Sequence, residues 1–459
     1  LDFVGKVEET KTTHQKGTED AIVTIDTFEY DHAGRVIAQK QKINNLSEET
    51  IAKNTYDQLG QLEAKGVGGA NGTLQTVDYK YNVRGWLKNI NEDGLADNDL
   101  FNFTIKYNDI TDVNKRLFNG NIAETNWNTL SIDNTSNSVS NKYVYTYDAL
   151  NRITRADDNT GRYDVYGVVY DKNGNIEKLR RDGHTNIGTS TFGVMDNLTY
   201  TYDNGNKLVK VIDAGNTTFG FKDVDNAVDF VYDANGNMTV DRNKGIIAID
   251  YNHLNLPKKV TMGTSYIEYF YDASGVKLEK RVHEIRRDHQ ENRTEYAGNF
   301  IYSTAVFRNQ IGDIDRTTTK LEFFNHAEGY VTPTVTSSGV EMRYVYQYKD
   351  YLGNVRLSYM DKNQNNNNPI DLEIIEESNY YPFGLKHKGY NNITNSLGNS
   401  TAHKFGYNGK ELNEELGIRW HDFGARNYDA ALGRWMNLDP LAEQMRRHSP
   451  YNYAFDNPI

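Results

Sequence analysis

Apolar and polar residues alternate along much of this chain. Phe101, Phe103 and Ile105 are each separated by one polar residue, and Tyr200 and Tyr202 show the same spacing. Alternation with a period of two places the apolar side chains on one face of a β-strand and the polar ones on the other. The pattern therefore predicts many strands, each with one buried face.

A short repeat follows these alternating stretches: Tyr, then Asp or Asn, two further residues, Gly or Asn, and a long side chain. The copies are Tyr30-Asp31 with Gly34, Tyr56-Asp57, Tyr147-Asp148, Tyr170-Asp171, Tyr202-Asp203, Tyr232-Asp233, Tyr251-Asn252 and Tyr271-Asp272. Asp accepts hydrogen bonds from the backbone two residues on, and Gly allows positive φ, so each copy predicts a tight turn. A motif repeated this often indicates a structural rather than a catalytic role.

The predicted fold class is all-β. An isolated hairpin is only marginally stable and exposes unpaired edges, so the hairpins must pair side by side into a continuous sheet that coils. The composition agrees, because 33 Tyr and 37 Gly against 7 Pro favour short strands joined by glycine turns.

Charge and composition exclude several functions. A net charge of −12 argues against nucleic acid or an anionic membrane as the main partner. Without cysteine, neither a disulfide framework nor a thiolate metal site can form. No apolar run is long enough for a membrane span. The chain begins without Met and ends without a polar tail, so we expect it to be a piece of a longer protein.

The last quarter of the chain is less repetitive and carries several distinctive motifs. Tyr344, Tyr346 and Tyr348 alternate, and a polar stretch at about 361–378 predicts an exposed loop. Further on stand the motifs Arg426-Asn427-Tyr428-Asp429, Leu432-Gly433-Arg434-Trp435 and Asp439-Pro440. We therefore divide the chain into residues 1–343 and 344–459.

These motifs carry a resemblance to a known family. The Tyr-Asp-x-x-Gly-Arg pattern resembles the YD repeat of RHS and teneurin-type proteins, and residues 344–459 resemble the RHS repeat-associated core. The resemblance implies a β-ribbon that spirals into a hollow shell, closed by the core segment. The motif Asp350-Tyr-Leu-Gly-Asn-Val-Arg356 is similar to the sequences of family members from Bacteroidota.

The resemblance also bears on Asp439. In the family the core can act as an intramolecular aspartyl protease, in which two close carboxylates share one proton. Asp439 matches the first of the two Asp-Pro positions, and its partner is expected beyond Ile459. Leu441-Ala442-Glu443 departs from the protease-type pattern. The alternative is that Asp439 caps a short helix that has Pro440 in its first turn and ends near His448.

Other candidate sites are weaker. His283 and His289 are six residues apart and do not share a helical face, so a zinc site is not expected, and Lys280, Arg281, Arg286 and Arg287 predict a solvated loop. His421-Asp422 lacks a recognisable nucleophile, and Gly66 to Gly69 form a turn. Trp86, Trp127, Trp420 and Trp435 could bind sugar but are expected in the core. No cofactor or metal is predicted.

Three functional hypotheses remain open. The first is a secreted shell that encapsulates or presents an attached toxin or effector polypeptide; the second is a cell-surface scaffold or adhesion protein without a toxin. The third is single-turnover self-cleavage, and no other enzymatic activity is expected. The resemblance implies export across the outer membrane, with the type 9 secretion machinery and cell-surface components as possible partners besides the protein's own C-terminal cargo or flanking domains.

Overall fold

The fold is built almost entirely from antiparallel strands. The computed structural model describes residues 1–92, 95, 98–130, 138–186, 188–284, 291–309, 313–336, 339–363, 370–389 and 397–459. In these residues the helical elements are single 3₁₀ turns, at Val113–Lys115, Ala402–Lys404, Tyr407–Gly409, Glu415–Gly417, Ala442–Gln444 and Ala454–Asp456. The prediction of an all-β ribbon is confirmed.

The first sheet has fifteen strands, and each strand pairs with the next one along the chain. They are β1 (Glu9–His14), β2 (Ile22–Tyr30), β3 (Val36–Ile43), β4 (Glu49–Tyr56), β5 (Leu62–Val67), β6 (Gln75–Tyr81), β7 (Leu87–Ile90), β8 (Phe101–Lys106), β9 (Glu124–Leu130), β10 (Ser138–Tyr147), β11 (Ile153–Asp158), β12 (Val165–Tyr170), β13 (Ile176–His184), β14 (Phe192–Tyr202) and β15 (Leu208–Asp213).

A hairpin of β16 (Phe230–Tyr232) and β17 (Met238–Asp241) precedes the second large sheet, which has eleven strands in sequence order. They are β18 (Ala248–Tyr251), β19 (Pro257–Met262), β20 (Ser265–Tyr271), β21 (Lys277–His283), β22 (Glu291–Ala297), β23 (Phe300–Arg308), β24 (Ile314–His326), β25 (Gly329–Thr336), β26 (Gly339–Lys349), β27 (Val355–Asp361) and β28 (Leu372–Glu377). Four short strands form the last sheet: β29 (Glu411–Asn413), β30 (Trp420–Asp422), β31 (Asn427–Asp429) and β32 (Arg434–Trp435).

The Tyr-Asp repeat forms the turn between paired strands. At Asp171 the Oδ1 atom accepts hydrogen bonds from the amides of Asn173 and Asn175, both at 2.8 Å. Gly174 follows with a φ of +83°, in the left-handed region that favours glycine. The same Asp-centred turn occurs at Asp31, Asp57, Asp148, Asp203, Asp233 and Asp272.

The repeat tyrosines connect neighbouring copies. The Tyr170 hydroxyl donates to the Ile153 carbonyl at 2.6 Å, and the Tyr202 hydroxyl donates to the Ile176 carbonyl at 2.7 Å. Each acceptor lies six residues after the tyrosine of the preceding copy. Tyr30, Tyr56, Tyr147 and Tyr271 also donate to backbone carbonyls earlier in the chain. The tyrosine is therefore a rung between repeats as well as a packed side chain.

The two large sheets pack face to face. We call the inner face of each sheet the one whose side chains enter the largest core cluster, which includes Ile51, Phe103, Leu198, Val282 and Tyr359. Across the interface the Tyr348 hydroxyl donates to Gln75 Oε1 at 2.8 Å, and the Tyr346 hydroxyl donates to Glu49 Oε1 at 2.7 Å. The second sheet continues without interruption through residues 343 and 344, within β26.

Two expectations about loops are wrong. The stretch 361–378 was expected to be an exposed loop, but Leu372–Glu377 is β28, whose residues Ile374 to Glu377 are buried; residues 364–369 lie outside the described residues. Lys280 and Arg281 were expected in a solvated loop, but they belong to β21, where Lys280 is 1% exposed. Arg286, Arg287 and His289 also lie outside the described residues. The error at Lys280 arose because its buried carboxylate partners, Glu411 and Glu415, are distant in sequence.

Candidate functional site: the carboxy-terminal segment between the sheets

The candidate site is the carboxy-terminal segment, which we define as residues 397–459. Its four-stranded sheet is held on both large sheets by buried charges, and it contains the distinctive motif residues Arg426, Tyr428, Asp429, Gly433, Arg434, Asp439 and Pro440. The chain reaches it from β28 through residues 378–389, where Tyr381 and Phe383 enter the main core.

Asp429 organises the turn between β31 and β32. Its Oδ1 accepts from the amide of Ala431 at 2.9 Å, and its Oδ2 accepts from Lys244 Nζ at 2.5 Å. Gly433 completes this turn with a φ of +70°. A Cβ on Gly433 would lie 3.1 Å from Ile176 Cδ1. The turn therefore fits closely against the inner face of the first sheet.

Arg181 fastens the same turn to the first sheet. Its Nε lies 2.7 Å from Asp196 Oδ2, and both side chains are almost completely buried. The remaining guanidinium nitrogens donate to the carbonyls of Ala430 at 3.2 Å and Ala431 at 2.6 Å. The nearby Asp196 carboxylate raises the pKa of Arg181 despite its burial. The Arg181 guanidinium therefore makes hydrogen bonds both within the first sheet and to the carboxy-terminal segment.

Arg434 makes a second contact with the first sheet. Its Nη2 donates to the Asn206 carbonyl at 3.2 Å, and its guanidinium lies 5.2 Å from the Tyr202 ring centroid and 4.9 Å from that of Tyr451. Tyr202 and Asn206 belong to one copy of the Tyr-Asp repeat. Arg434 of the carboxy-terminal segment thus contacts a repeat turn of the first sheet directly.

A buried charge cluster fastens the segment to the second sheet. Lys280 Nζ on β21 donates to Glu411 Oε1 at 2.7 Å and to Glu415 Oε1 at 2.9 Å. Lys277 Nζ contacts Glu411 Oε2 at 2.6 Å and Asp422 Oδ2 at 2.7 Å. The two ammonium groups hold the pKa of the Glu411 carboxyl far below its usual range.

Aromatic packing fills the middle of the segment. Tyr428 is fully buried; its ring centroid lies 4.1 Å from that of Tyr453 and 5.4 Å from that of Trp435. The Tyr428 hydroxyl donates to the Phe383 carbonyl at 2.7 Å, which links the segment to the chain that enters it. Tyr407 completes this cluster.

Asp439 is half-buried at the edge of the segment. Its Oδ2 lies 3.0 Å from Arg426 Nη2, and Arg426 in turn lies 4.2 Å from the Trp435 ring centroid. Its Oδ1 accepts from the Leu441 amide at 2.8 Å. The expected helix with Pro440 in its first turn is absent. Ala442–Gln444 forms a single 3₁₀ turn instead, and the backbone leaves the helical conformation at Met445.

Asp456 is a buried carboxylate that no motif in the sequence indicated. It is 1% exposed, and its Oδ2 has no hydrogen-bond partner among the described residues. That oxygen approaches the repeat turn at Gly174, where a glycine Cβ would lie 2.7 Å away. Burial raises the pKa of Asp456 to about 8, although Arg152 attracts the carboxylate. Its Ala-Phe-Asp context matches no recognised motif.

The remaining candidates are packed side chains. Burial lowers the pKa of His421 to about 4, and the ring packs against Tyr407. Trp127 and Trp420 are fully buried, Trp435 is 8% exposed and Trp86 is half-buried against Tyr107, so they do not form an exposed row. Gly68 and Gly69 form a turn with positive φ.

Two searches of the structure gave negative results. The residues that the structure describes contain no group of three or more His, Asp or Glu side chains placed to hold a metal ion. Among the same residues, no helix has the length and apolar character needed to cross a bilayer.

Ile459 lies on the inner side of the structure. It packs against the main core and lines a cavity of about 40 Å³ between the sheets. The other walls include Trp127, Tyr351 and Arg356. Arg356 is buried, with its guanidinium 4.6 Å from the Trp127 ring centroid. The last residue of the chain is thus directed to the same interior that the inner faces enclose.

Comparison with known proteins identifies the fold. No protein family model and no curated protein matches the chain in sequence. The structure is similar to the Photorhabdus luminescens Tc holotoxin pore carrying a mutation in TccC3, with a TM-score of 0.67, 18% identity and coverage of 98% of this chain and 21% of that chain.

Other similar structures come from the same toxin system. TcdB2–TccC3 without its hypervariable C-terminal region gives a TM-score of 0.67 at 17% identity, with 100% of this chain and 23% of that chain covered. TcdB2–TccC3 with Cdc42 gives 0.59 at 16% identity over the same shares. The chain therefore has the fold of part of these toxin components, and spans about a fifth of their length.

Proposed function

We propose that this chain is the closing end of a β-shell that encloses or presents an attached polypeptide. The observation that carries the proposal is the double attachment of the carboxy-terminal segment. Arg181 binds it to the inner face of the first sheet, and Lys280 binds it to the second. A segment held on both sides by buried charges is suited to closing the space between two sheets.

The position of Ile459 supports the enclosing role. A polypeptide joined to this residue starts at the inner cavity beside Trp127 and Arg356 rather than on the outer surface. One similar structure is that of TcdB2–TccC3 without its hypervariable C-terminal region. We infer that the corresponding region of this protein, a toxin or effector, is the enclosed cargo.

The test compares two identical protease sites in the natural gene product. A TEV protease site is placed directly after Ile459, and a matched site is placed in the exposed turn at Asn159–Gly161. In the folded protein we expect the turn to be cut at least about tenfold faster, because cleavage requires a locally unfolded, accessible backbone. Equal cleavage, or a natural product that ends at Ile459, would contradict the enclosing role.

The alternative is a scaffold or adhesion protein of the cell surface that uses the same β-ribbon without cargo. It predicts rapid cleavage after Ile459 and no toxic effect of the region beyond it. Export across the outer membrane, with the type 9 machinery as partner, belongs to either version. Surface biotinylation of intact cells tests the location independently of the cargo, since only an exported chain is labelled.

Self-cleavage at Asp439 requires a second carboxylate. Within the described residues, the contacts of the Asp439 carboxylate are with Arg426 and with the amide of Leu441. A shared proton needs a carboxylate beside Oδ1 or Oδ2. We infer that any proteolysis is a single turnover completed by a residue beyond Ile459. Asp439→Asn should then keep the natural product at full length on a denaturing gel.

A further inference from the structure

A second cluster of reactive side chains lies on the outer face of the second sheet, away from the inner cavity. Glu376 on β28 is 4% exposed and faces outward because a bulge shifts the register between Ser358 and Tyr359. Its carboxylate accepts hydrogen bonds from the hydroxyls of Ser358 and Ser378, both at 3.3 Å. It is therefore a fixed, buried negative charge.

His403 stands between this carboxylate and a lysine. The 3₁₀ turn Ala402–Lys404 places His403 Nδ1 2.6 Å from Glu376 Oε1. The other ring nitrogen, Nε2, lies 2.8 Å from Lys386 Nζ. A carboxylate beside one imidazole nitrogen and an amine beside the other form the arrangement in which histidine accepts a proton from a nucleophile.

Lys386 has the environment of a nucleophilic amine. The residue is half-buried, and this burial lowers the pKa of its amino group to about 8. Two further carboxylates, Glu377 and Glu414, act in the opposite direction, as does Glu376, while Lys388 adds to the lowering. Desolvation outweighs the three carboxylates, so a substantial fraction of the amine is neutral near neutral pH.

We propose that Glu376, His403 and Lys386 form a reactive-amine site that takes carbonyl electrophiles of the aldehyde class. The lone pair of the neutral Lys386 Nζ attacks the carbonyl carbon, the carbonyl π electrons move onto the oxygen, and His403 carries one proton from Nζ to that oxygen to give a hydroxyl group. His403 then transfers the second Nζ proton to the hydroxyl, and the carbon–oxygen bond breaks as the nitrogen lone pair forms the new bond to carbon. A carbon–nitrogen double bond forms and one water leaves, with no change in oxidation state.

The cluster is partly open to solvent, as such a site requires. The His403 side chain is 29% exposed, whereas Glu376 is buried behind it. A small aldehyde can therefore approach the imidazole and amine from outside, while the carboxylate stays in place to orient the ring. A purely structural ion cluster would instead keep Lys386 charged and unreactive, so reactivity separates the two interpretations.

The experiment measures imine formation at individual lysines. The full protein is incubated with pyridoxal between pH 6.5 and 9.5, reduced with borohydride and analysed by peptide mass spectrometry. At about pH 7.5 we expect Lys386 to be labelled at least about tenfold faster than the exposed Lys258, because burial lowers the pKa of Lys386 and leaves more of its amine neutral. Equal labelling of Lys386 and Lys258 would overturn the proposal.

Variants test the relay itself. His403→Gln should slow labelling of Lys386 by at least about tenfold, since a positioned general base typically contributes more than that, without altering labelling of Lys258. Glu376→Gln should slow it less, and Lys172→Arg, at an exposed lysine outside the cluster, should leave the rate and its pH profile unchanged. Unchanged labelling in a His403→Gln protein with the parent's melting temperature would refute the role of His403.

Discussion

At the scale of single residues, Gly433 shows how closely the carboxy-terminal segment fits the first sheet. Its φ is +70°, and an added Cβ would lie 3.1 Å from Ile176 and 3.3 Å from Phe383. Gly424 in the same segment has a similar φ of +84° but nothing within 4 Å of the added Cβ. The two glycines therefore separate backbone strain from a steric clash.

We expect Gly433→Ala to lower the free energy of unfolding by about 2–4 kcal/mol, combining left-handed strain with overpacking. Gly424→Ala should cost about 1 kcal/mol, from strain alone. Urea unfolding of both variants measures the difference. Equal losses would show that the segment does not press on Ile176 and Phe383.

Asp456 makes stability depend on pH. The folded protein holds this carboxyl with a pKa of about 8, against an ordinary value of 3.8 in the unfolded chain. The folded state therefore binds the proton more tightly, so the contribution of Asp456 to stability is greatest below about pH 4 and is lost as the pH rises towards 8. The charged neighbours Arg152, Arg434, Asp148 and Asp171 all contribute to this balance.

Asp456→Asn should remove this contribution. We expect the variant to gain about 1–3 kcal/mol over the parent at pH 8, because a neutral amide carries no ionisation penalty in the buried site, and to show little gain at pH 5. Thermal unfolding across this pH range is the measurement. Asp225→Asn, at an exposed carboxylate, is the control and should leave the pH profile unchanged. If the stability of Asp456→Asn changed with pH in the same way as that of the parent, the interpretation would be wrong.

At the scale of elements, the tyrosine hydroxyls of the repeat link neighbouring copies by hydrogen bonds to backbone carbonyls. The Tyr170 hydroxyl bonds to the Ile153 carbonyl at 2.6 Å, and Arg152 lies 4.5 Å from the Tyr170 ring centroid. Tyr-Asp and the long side chain at the end of the turn therefore act together, because the arginine of one copy covers the tyrosine of the next. The irregular lengths of the intervening strands do not disturb this contact.

Tyr170→Phe tests one rung. Removing the hydroxyl leaves the Ile153 carbonyl without this partner, which should cost about 1–2 kcal/mol in the free energy of unfolding. Tyr166→Phe, whose hydroxyl donates to the Asp182 carboxylate at 3.2 Å nearer the surface, should cost about 0.5 kcal/mol or less. Similar losses of stability in both variants would show that the Tyr170 hydroxyl contributes no more than the Tyr166 hydroxyl does.

The same repeat explains how much the sequence predicted. The strands, the turns and the ribbon follow from alternation and from Asp and Gly at fixed spacing, which are local signals. One copy, Tyr81-Asn82, was overlooked although Asn82 forms the same turn, accepting from the amides of Arg84 and Trp86. The copy at Tyr251-Asn252 already showed that Asn can replace Asp in this repeat, so Tyr81-Asn82 could have been found in the sequence.

The candidate site could not be predicted in the same way. Lys280 and Glu411 are 131 residues apart, and Arg181 and Ala431 are 250 apart. Their charges look solvated in the sequence, since only the packing of distant segments brings the partners together. The buried Glu376 and Glu377 misled the prediction of β28 for the same reason. Asp439 was visible as a motif, whereas its contact with Arg426 was not.

At the scale of the whole molecule, the carboxy-terminal segment adds a further connection between two sheets that already pack face to face. Lys280 is central to this connection, because its ammonium contacts Glu411, Asn413 and Glu415 and is 1% exposed. Neighbouring Lys277 keeps part of the charge balance. Loss of Lys280 should therefore release the segment from the second sheet and leave its contacts with Arg181 intact.

Lys280→Met tests this division. Removing one partner of a buried ion pair costs about 3–5 kcal/mol, and because Lys277 and Lys404 still contact Glu411 and Glu415, we expect a loss of about 3 kcal/mol. Hydrogen exchange should become faster in β29 and β30 than in β31. Adding Glu411→Gln removes one stranded charge and should restore part of the stability, while Lys258→Met at the surface should change it by less than about 0.5 kcal/mol. Uniform exchange across all four short strands would mean that the segment unfolds as one unit, and that neither sheet holds it independently.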